Sequence, residues 1–287
     1  MRSLSTVTLI VLAGAVAVTA QTAPSGQLPA AVHSGSALQT VPDKWMFHMG
    51  MLRGLYEVDG VAALEIKKAT GTVRVDGQTC RLANYRASIN YWLPGMRAQY
   101  SCTTPDGRMR KAIEVVSGQF AWDEDIAGAE LIAGKGTATP KPNALTERLI
   151  RIWSGPQGAA KAAAAAGANL KVTMEGGKTV ATYAIPGVAG AVARATLTNG
   201  TNDDVPCSSY CAERVEVRQG SVVTEFLYSN YADHNEPLNK IDAWYPGRVI
   251  EKRDGVTILD LTIVETETGN PYVVMPVPAG IRRVSGR

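Results

Sequence analysis

Carboxylates set beside a histidine, or beside one another, are the groups in this chain that could do acid–base or metal chemistry. Asp233-His234-Asn235-Glu236 places a histidine among carboxylates. A closed metal site needs three or four converging ligands, so this polar run before Pro237 reads instead as a solvated turn. Trp122-Asp123-Glu124-Asp125 carries three adjacent carboxylates. Calcium would need a glycine-centred twelve-residue loop, which does not follow, so a strand end entering an acidic turn is the better reading. His33 falls in an Ala- and Ser-rich lead-in and His48 on the first helical stretch. There is no HExxH and no GxSxG nucleophile elbow. Gly134-Lys135-Gly136-Thr137 misses the spacing of a phosphate loop. Asn199-Gly200-Thr201 is a glycosylation sequon, which means little if the source is bacterial. No residue is assigned a catalytic or metal-binding role, and nothing calls for a cofactor. Asp123, Glu124, Asp125, Asp233 and Glu236 remain as the support for a secreted hydrolase.

Thiol chemistry depends on the compartment. Arg2 precedes an apolar run from Val7 to Val18, and Val18-Thr19-Ala20 fits a small-residue cleavage site, which predicts a signal peptide over 1–20 and a processed chain starting at Gln21. The apolar run is shorter than the ~20 residues of a membrane span, and no other run approaches that length. No cysteine follows it that could take a lipid anchor. Export leaves about 265 residues, room for one large or two small domains. It also makes disulfides the natural use of Cys80, Cys102, Cys207 and Cys211. Four cysteines allow three pairings; short loops favour Cys80–Cys102 and Cys207–Cys211. Cys207-x-x-x-Cys211 could instead begin a metal site, but no His or second Cys pair stands near it. A hairpin with Cys80 facing Cys102 would turn near Tyr91, whereas the turn signal is Leu93-Pro94-Gly95. A bulge or an offset pairing is therefore required.

The elements that position these residues are mostly strands. Residues 21–42 lack periodicity and read as a flexible lead-in. Asp43 can cap a helix whose apolar face is Trp45, Met46, Met49, Leu52 and Leu55, ending near Gly54 or Gly60. Four turn signals follow: Asp76-Gly77, Pro105-Asp106-Gly107, Gly176-Gly177 and Asp254-Gly255. Tyr85, Ala87, Ile89, Tyr91 and Leu93 share one strand face, as do Leu259, Leu261 and Ile263. One helical block interrupts the strands. Asn143 can cap it, Leu145, Leu149, Ile152 and Trp153 form its apolar stripe, Gly155-Pro156 breaks it, and Ala159 to Ala166 form a second helix ended by Gly167. Strand and helix do not alternate, which argues against a doubly wound parallel sheet. The expected fold is α+β: one domain over 43–287, a strongly curved antiparallel sheet forming an open half-barrel, with helices packed on one face.

The formal charge is +3 with no basic stripe, so no nucleic-acid partner is expected. Apolar and aromatic side chains are the alternative route to function. Trp45, Met46, Met49, Trp92, Trp122, Leu149, Ile152 and Trp153 form the candidate ligand-binding face. Helices packed inside a curved sheet would make these residues line either a solid core or a ligand cavity. Residue types alone favour the core.

Two resemblances add to this reading. Ser117-Gly118-Gln119-Phe120-Ala121-Trp122-Asp123-Glu124, Ala138-Thr139-Pro140-Lys141-Pro142 and Glu147-Arg148, continuing through Trp153 and Pro156 to Gly158 and Lys161-Ala162-Ala163, resemble an uncharacterised group of exported bacterial proteins. Tyr245-Pro246-Gly247-Arg248-Val249, Thr257 to Thr262, Asn270-Pro271 and Met275-Pro276-Val277-Pro278 extend the likeness over most of 70–280. The group implies no activity. The layout also resembles the fold of the periplasmic lipoprotein carriers, which implies a half-barrel whose apolar concavity takes acyl chains under a helical lid. The two disulfides depart from that pattern. The expected function is an exported, non-enzymatic binder or carrier of an apolar ligand, a lipid or an acylated peptide, in the periplasm. The alternatives are a secreted hydrolase or its accessory domain, and a surface-interaction module with a solid core.

Overall fold

The computed structural model describes residues 38–53, 58–129, 135–201, 205, 207–234, 243–268, 270 and 272–285. The expected signal peptide and most of the expected lead-in lie outside them, as do Gly54, Leu55, Gly134 and Glu236.

The first helix is Val41–His48 (α1). Its cap is Thr40 rather than Asp43. Thr40 Oγ1 accepts from the Asp43 amide and the Asp43 carboxylate accepts from the Thr40 amide, each at 3.2 Å. Asp43 is thus the third residue of a capping box. The helix is also shorter than the spacing predicted: Gly50 turns the chain at φ 65°, and Leu52 enters Leu52–Arg53 (β1), paired with Val58–Asp59 (β2).

A meander then runs through Ala63–Val75 (β3), Gln78–Asn90 (β4), Gly95–Thr103 (β5), Met109–Ser117 (β6), Phe120–Glu124 (β7) and Ala138–Pro140 (β8). A 3-10 turn at Pro142–Ala144 leads into Leu145–Ser154 (α2) and Pro156–Ala166 (α3). Asn143 lies inside that turn and caps nothing; Ala144 precedes α2 without a side-chain cap. A second meander follows: Lys171–Glu175 (β9), Lys178–Ala184 (β10), Ala191–Asn199 (β11), Ser209–Gln219 (β12), Val222–Ala232 (β13), Tyr245–Arg253 (β14) and Val256–Thr268 (β15), then Ala279–Ser285 (α4). The four expected turns form where the turn signals stand. Asp76-Gly77 and Asp254-Gly255 have positive φ at both positions, as a two-residue hairpin loop requires.

Thirteen of the described strands make one antiparallel sheet, ordered β8-β7-β6-β5-β4-β3-β15-β14-β13-β12-β11-β10-β9. Pairing of β15 with β3 welds the two meanders, and the sheet is not closed, because β8 and β9 are edges. The sheet must curve strongly. β6 and β14 are five strand spacings apart, about 24 Å in a flat sheet. Yet Glu114 on β6 and Glu251 on β14 both contact the single guanidinium of Arg151, at 3.4 Å and 2.7 Å.

Both disulfides form as the short-loop pairing predicts, Cys80–Cys102 and Cys207–Cys211. The first was expected to need a bulge or an offset pairing, and both are present. The register between β4 and β5 slips between Leu82 and Asn84, and Cys102 lies opposite Leu82, two residues from Cys80. Disulfides are the bonds that an oxidising compartment sustains. No helix among the described residues is long and apolar enough to cross a membrane.

Candidate functional site in the helix-facing core

Six of the eight side chains of the expected ligand-binding face come together. Trp45 and Met46 from α1, Met49 just after it, and Leu149, Ile152 and Trp153 from α2 belong to one core cluster, with Leu149 4% exposed and the other five fully buried. Two do not join them. Trp92 sits in the turn between β4 and β5, 52% exposed, because β4 ends at Asn90. Trp122 is buried in a smaller cluster with Ala63, Val115, Val273, Met275 and Ile281. Successive strand residues face opposite sides. Val116 belongs to the main cluster, while Val115, the cross-strand partner of Trp122, belongs to the smaller one. Trp122 therefore faces away from the other six.

Tyrosines secure the end of α2. Tyr183 OH (β10) donates to the Trp153 carbonyl at 3.4 Å and Tyr228 OH (β13) to the Ser154 carbonyl at 2.5 Å. These are terminal carbonyls that the helix itself cannot satisfy. Burial pushes the pKa of both phenols up, so they remain protonated donors. Tyr91 packs beside Trp153, with ring centroids 6.4 Å apart.

Of two arginines on the flank of the α2 stripe, Arg148 reaches one half of the sheet and Arg151 reaches both. Arg148 donates to the carbonyls of Val115 and Trp122, at 2.9 Å and 2.7 Å, and to Asp123 at 2.5 Å. Arg151 grips Glu251 with two hydrogen bonds, 2.7 Å and 3.1 Å, and also contacts Glu114 and Glu147. Burial works to lower the pKa of Arg151, but Glu251 and Glu114 outweigh it and hold the guanidinium firmly charged. For Glu147, burial works to raise the pKa and is outweighed by Arg151 and Arg253, so the net shift is downward. Tyr85 and Tyr100 border the cluster, with Tyr85 pushed up to about 12, chiefly by burial. A pocket of about 80 Å³ opens beside these groups, too small for a ligand larger than a few atoms.

The carboxylates that could support hydrolysis are engaged otherwise. Asp123 pairs with Arg148 and Lys141. Glu124 receives two bonds from Arg97, one from Trp122 Nε1 at 2.9 Å and one from the Gly128 amide. Asp125 accepts from the Thr137 amide at 2.7 Å. The acidic run thus ties a strand end to its loop. At the other candidate cluster, His234 has its pKa lowered, first by burial, and Glu236 lies outside the described residues. Among the described residues no three His, Cys, Asp or Glu side chains are grouped to hold a metal.

Sequence reasoning missed Arg148, Arg151, Tyr91, Tyr183, Tyr228 and the buried Lys161–Asp59 ion pair. The two arginines could have been flagged, since they flank an otherwise apolar stripe. Their partners on distant strands left no local signal. No protein-family model matches the chain, and no curated protein matches it either.

Proposed function

We propose that the protein is an exported, non-enzymatic carrier of an apolar ligand such as an acyl chain, held between a half-barrel sheet and the helices packed on its one face. The observation that carries this is the route of the chain. It leaves one free edge of an open sheet at β8, passes through α2 and α3, and enters the other free edge at β9. That route supports reading the helices as a lid across the opening, and the buried stripe of α2, Leu149, Ile152 and Trp153, would be its underside. Apolar transfer contributes about 0.8 kcal/mol per buried CH₂, so a partly enclosed acyl chain is retained without polar chemistry. The N-terminal apolar run and the two disulfides support export to the periplasm. The resemblance to the lipoprotein-carrier layout points the same way.

A second reading, an interaction module with a solid core, is favoured by the near-complete burial of the same six side chains. Native mass spectrometry of protein purified from the periplasm, with titration of a fluorescent fatty acid, separates the two. The carrier co-purifies with lipid and binds the probe saturably, with displacement by oleate, while a panel of ester, peptide, glycoside and phosphate substrates stays at background. No lipid and no saturable binding means a solid-core module. Turnover that is lost on Asp233→Ala or His234→Ala means an enzyme.

A further inference from the structure

The junction of α2 and α3 concentrates buried polar atoms that have no partner within the protein. Trp153 Nε1, Ser154 Oγ, both amide atoms of Gln157 and the Tyr91 hydroxyl make no hydrogen bond to another protein group. Trp153, Ser154 and Gln157 are fully buried and Tyr91 is 1% exposed. Four of these five atoms fall within five residues of chain, and Tyr91 is their neighbour in space. Its ring lies 6.4 Å from that of Trp153, and a Cβ at Gly158 would lie 3.2 Å from it. Interiors pair nearly all their polar groups, and each buried group left unmade costs about 1–3 kcal/mol. The nearby backbone shows that partners are reachable here, since the carbonyls of Trp153 and Ser154 are both bonded by tyrosines. The side chains around them are the ones left over.

We propose that Gln157, Ser154, Trp153 and Tyr91 form a subsite for the neutral, hydrogen-bonding head of an amphiphile whose acyl chain lies along the apolar face of α1 and α2. This inference rests on the carrier reading and names its ligand class: an acyl chain joined through a carbonyl to a small hydroxylated head. The donor and acceptor inventory sets that chemistry. Gln157 offers both, the two hydroxyls offer both, and the indole only donates. Burial, with lesser contributions from Tyr245 and Asp59, raises the pKa of Tyr91 well above its usual value and keeps it a donor. A charged head is disfavoured. The nearby cation, Lys161, whose Nζ is 5.3 Å from the Tyr91 ring, is already neutralised by its ion pair with Asp59. A carboxylate placed here would therefore be buried without a free counter-charge.

The test compares 1-monooleoylglycerol with oleate on the full-length processed protein by calorimetric titration, in the wild type, Gln157→Met and Ser154→Ala. The wild type should prefer monooleoylglycerol. Gln157→Met should lose about tenfold of that affinity, the worth of a hydrogen bond to a buried partner, with oleate binding unchanged. Ligand-free Gln157→Met should unfold at the same or a higher temperature, because an unpaired polar group has been removed from the core. Equal affinity for both lipids in all three proteins overturns the subsite and leaves the carrier reading standing. So does a Gln157→Met protein less stable without ligand, which would mean that the amide is satisfied by internal water. Binding of neither lipid overturns both.

Discussion

Changing Arg151 to Met probes how α2 is held. The Glu251 carboxylate is 1% exposed and takes two hydrogen bonds from Arg151. Methionine keeps most of the side-chain volume and removes the charge, so Glu251 is left buried and uncompensated. Breaking a buried pair from one side costs about 3–5 kcal/mol, whereas replacing both partners with apolar groups is neutral or stabilising. Arg151→Met should lose about that much in urea unfolding followed by circular dichroism, read as a shift of the midpoint at constant slope. Arg151→Met with Glu251→Met should recover most of it. Glu147→Gln is the control: its carboxylate is about a third exposed, and screening holds the loss to about 1 kcal/mol or less. A single variant that loses under about 1 kcal/mol, or a double variant no better than the single, would refute the buried-pair argument. Under the carrier reading, Arg151→Met also loosens the lid and should speed uptake of a fluorescent fatty acid.

Removing Cys80–Cys102 by paired alanines should cost about 3 kcal/mol from the loop its 22-residue separation closes, and removing Cys207–Cys211 closer to 2; equal losses in urea unfolding would count against the loop-entropy account. Gly158→Ala should lower the melting temperature although alanine is the better helix former by about 1 kcal/mol, because its Cβ would lie 1.9 Å from the Ile152 carbonyl oxygen; a raised melting temperature would disprove the close approach. The lowered pKa of Glu147 means that its contribution is full above the ordinary carboxylate value of 4.5 and is lost as pH falls through its lower folded value. Acid titration of stability should therefore show a shallower fall in Glu147→Gln than in the wild type, and parallel curves would contradict the sign. Hydrogen exchange should be slower in α2, tied by two arginines and two tyrosines, than in α1, whose polar ties include a capping box and contacts of His48 with Ser209 at the start of β12; the reverse order would mean that the ties do not hold the helix.

The strands, turns and helix breaks were legible because their signals are local. Asp76-Gly77 and Asp254-Gly255 demand positive φ at once, and Gly155-Pro156 separates α2 from α3 wherever the segment goes. The stripe of α2 was legible for the same reason, and Leu149, Ile152 and Trp153 are buried as their spacing predicts. Helix ends were less so. A threonine and an aspartate three residues apart can each cap, and only the backbone at Thr40, extended where Asp43 is helical, decides between them. Two aromatics of the candidate face lie apart from the other six, Trp92 because it stands in a turn and Trp122 because one residue of strand parity decides. Trp122 differs from its neighbour Ala121 only in which side of β7 it takes, and that side is set by register with Val115, invisible in the local sequence.

Long-range pairing also explains why the ionic architecture was hidden while the apolar one was not. An apolar stripe needs any apolar surface to face, so its periodicity alone announces burial. A buried arginine needs particular carboxylates, and besides Glu147 one turn away those of Arg151 lie 37 and 100 residues away on strands that only a curved sheet brings together. The same pairs that hold α2 also bind the two meanders across the concavity, from Glu114 on β6 through Arg151 to Glu251 on β14. Arg151 therefore serves both the anchoring of α2 and the tie between the two meanders. Under the carrier reading, α2 could not be loosened at Arg151 without weakening the tie between the two halves of the sheet.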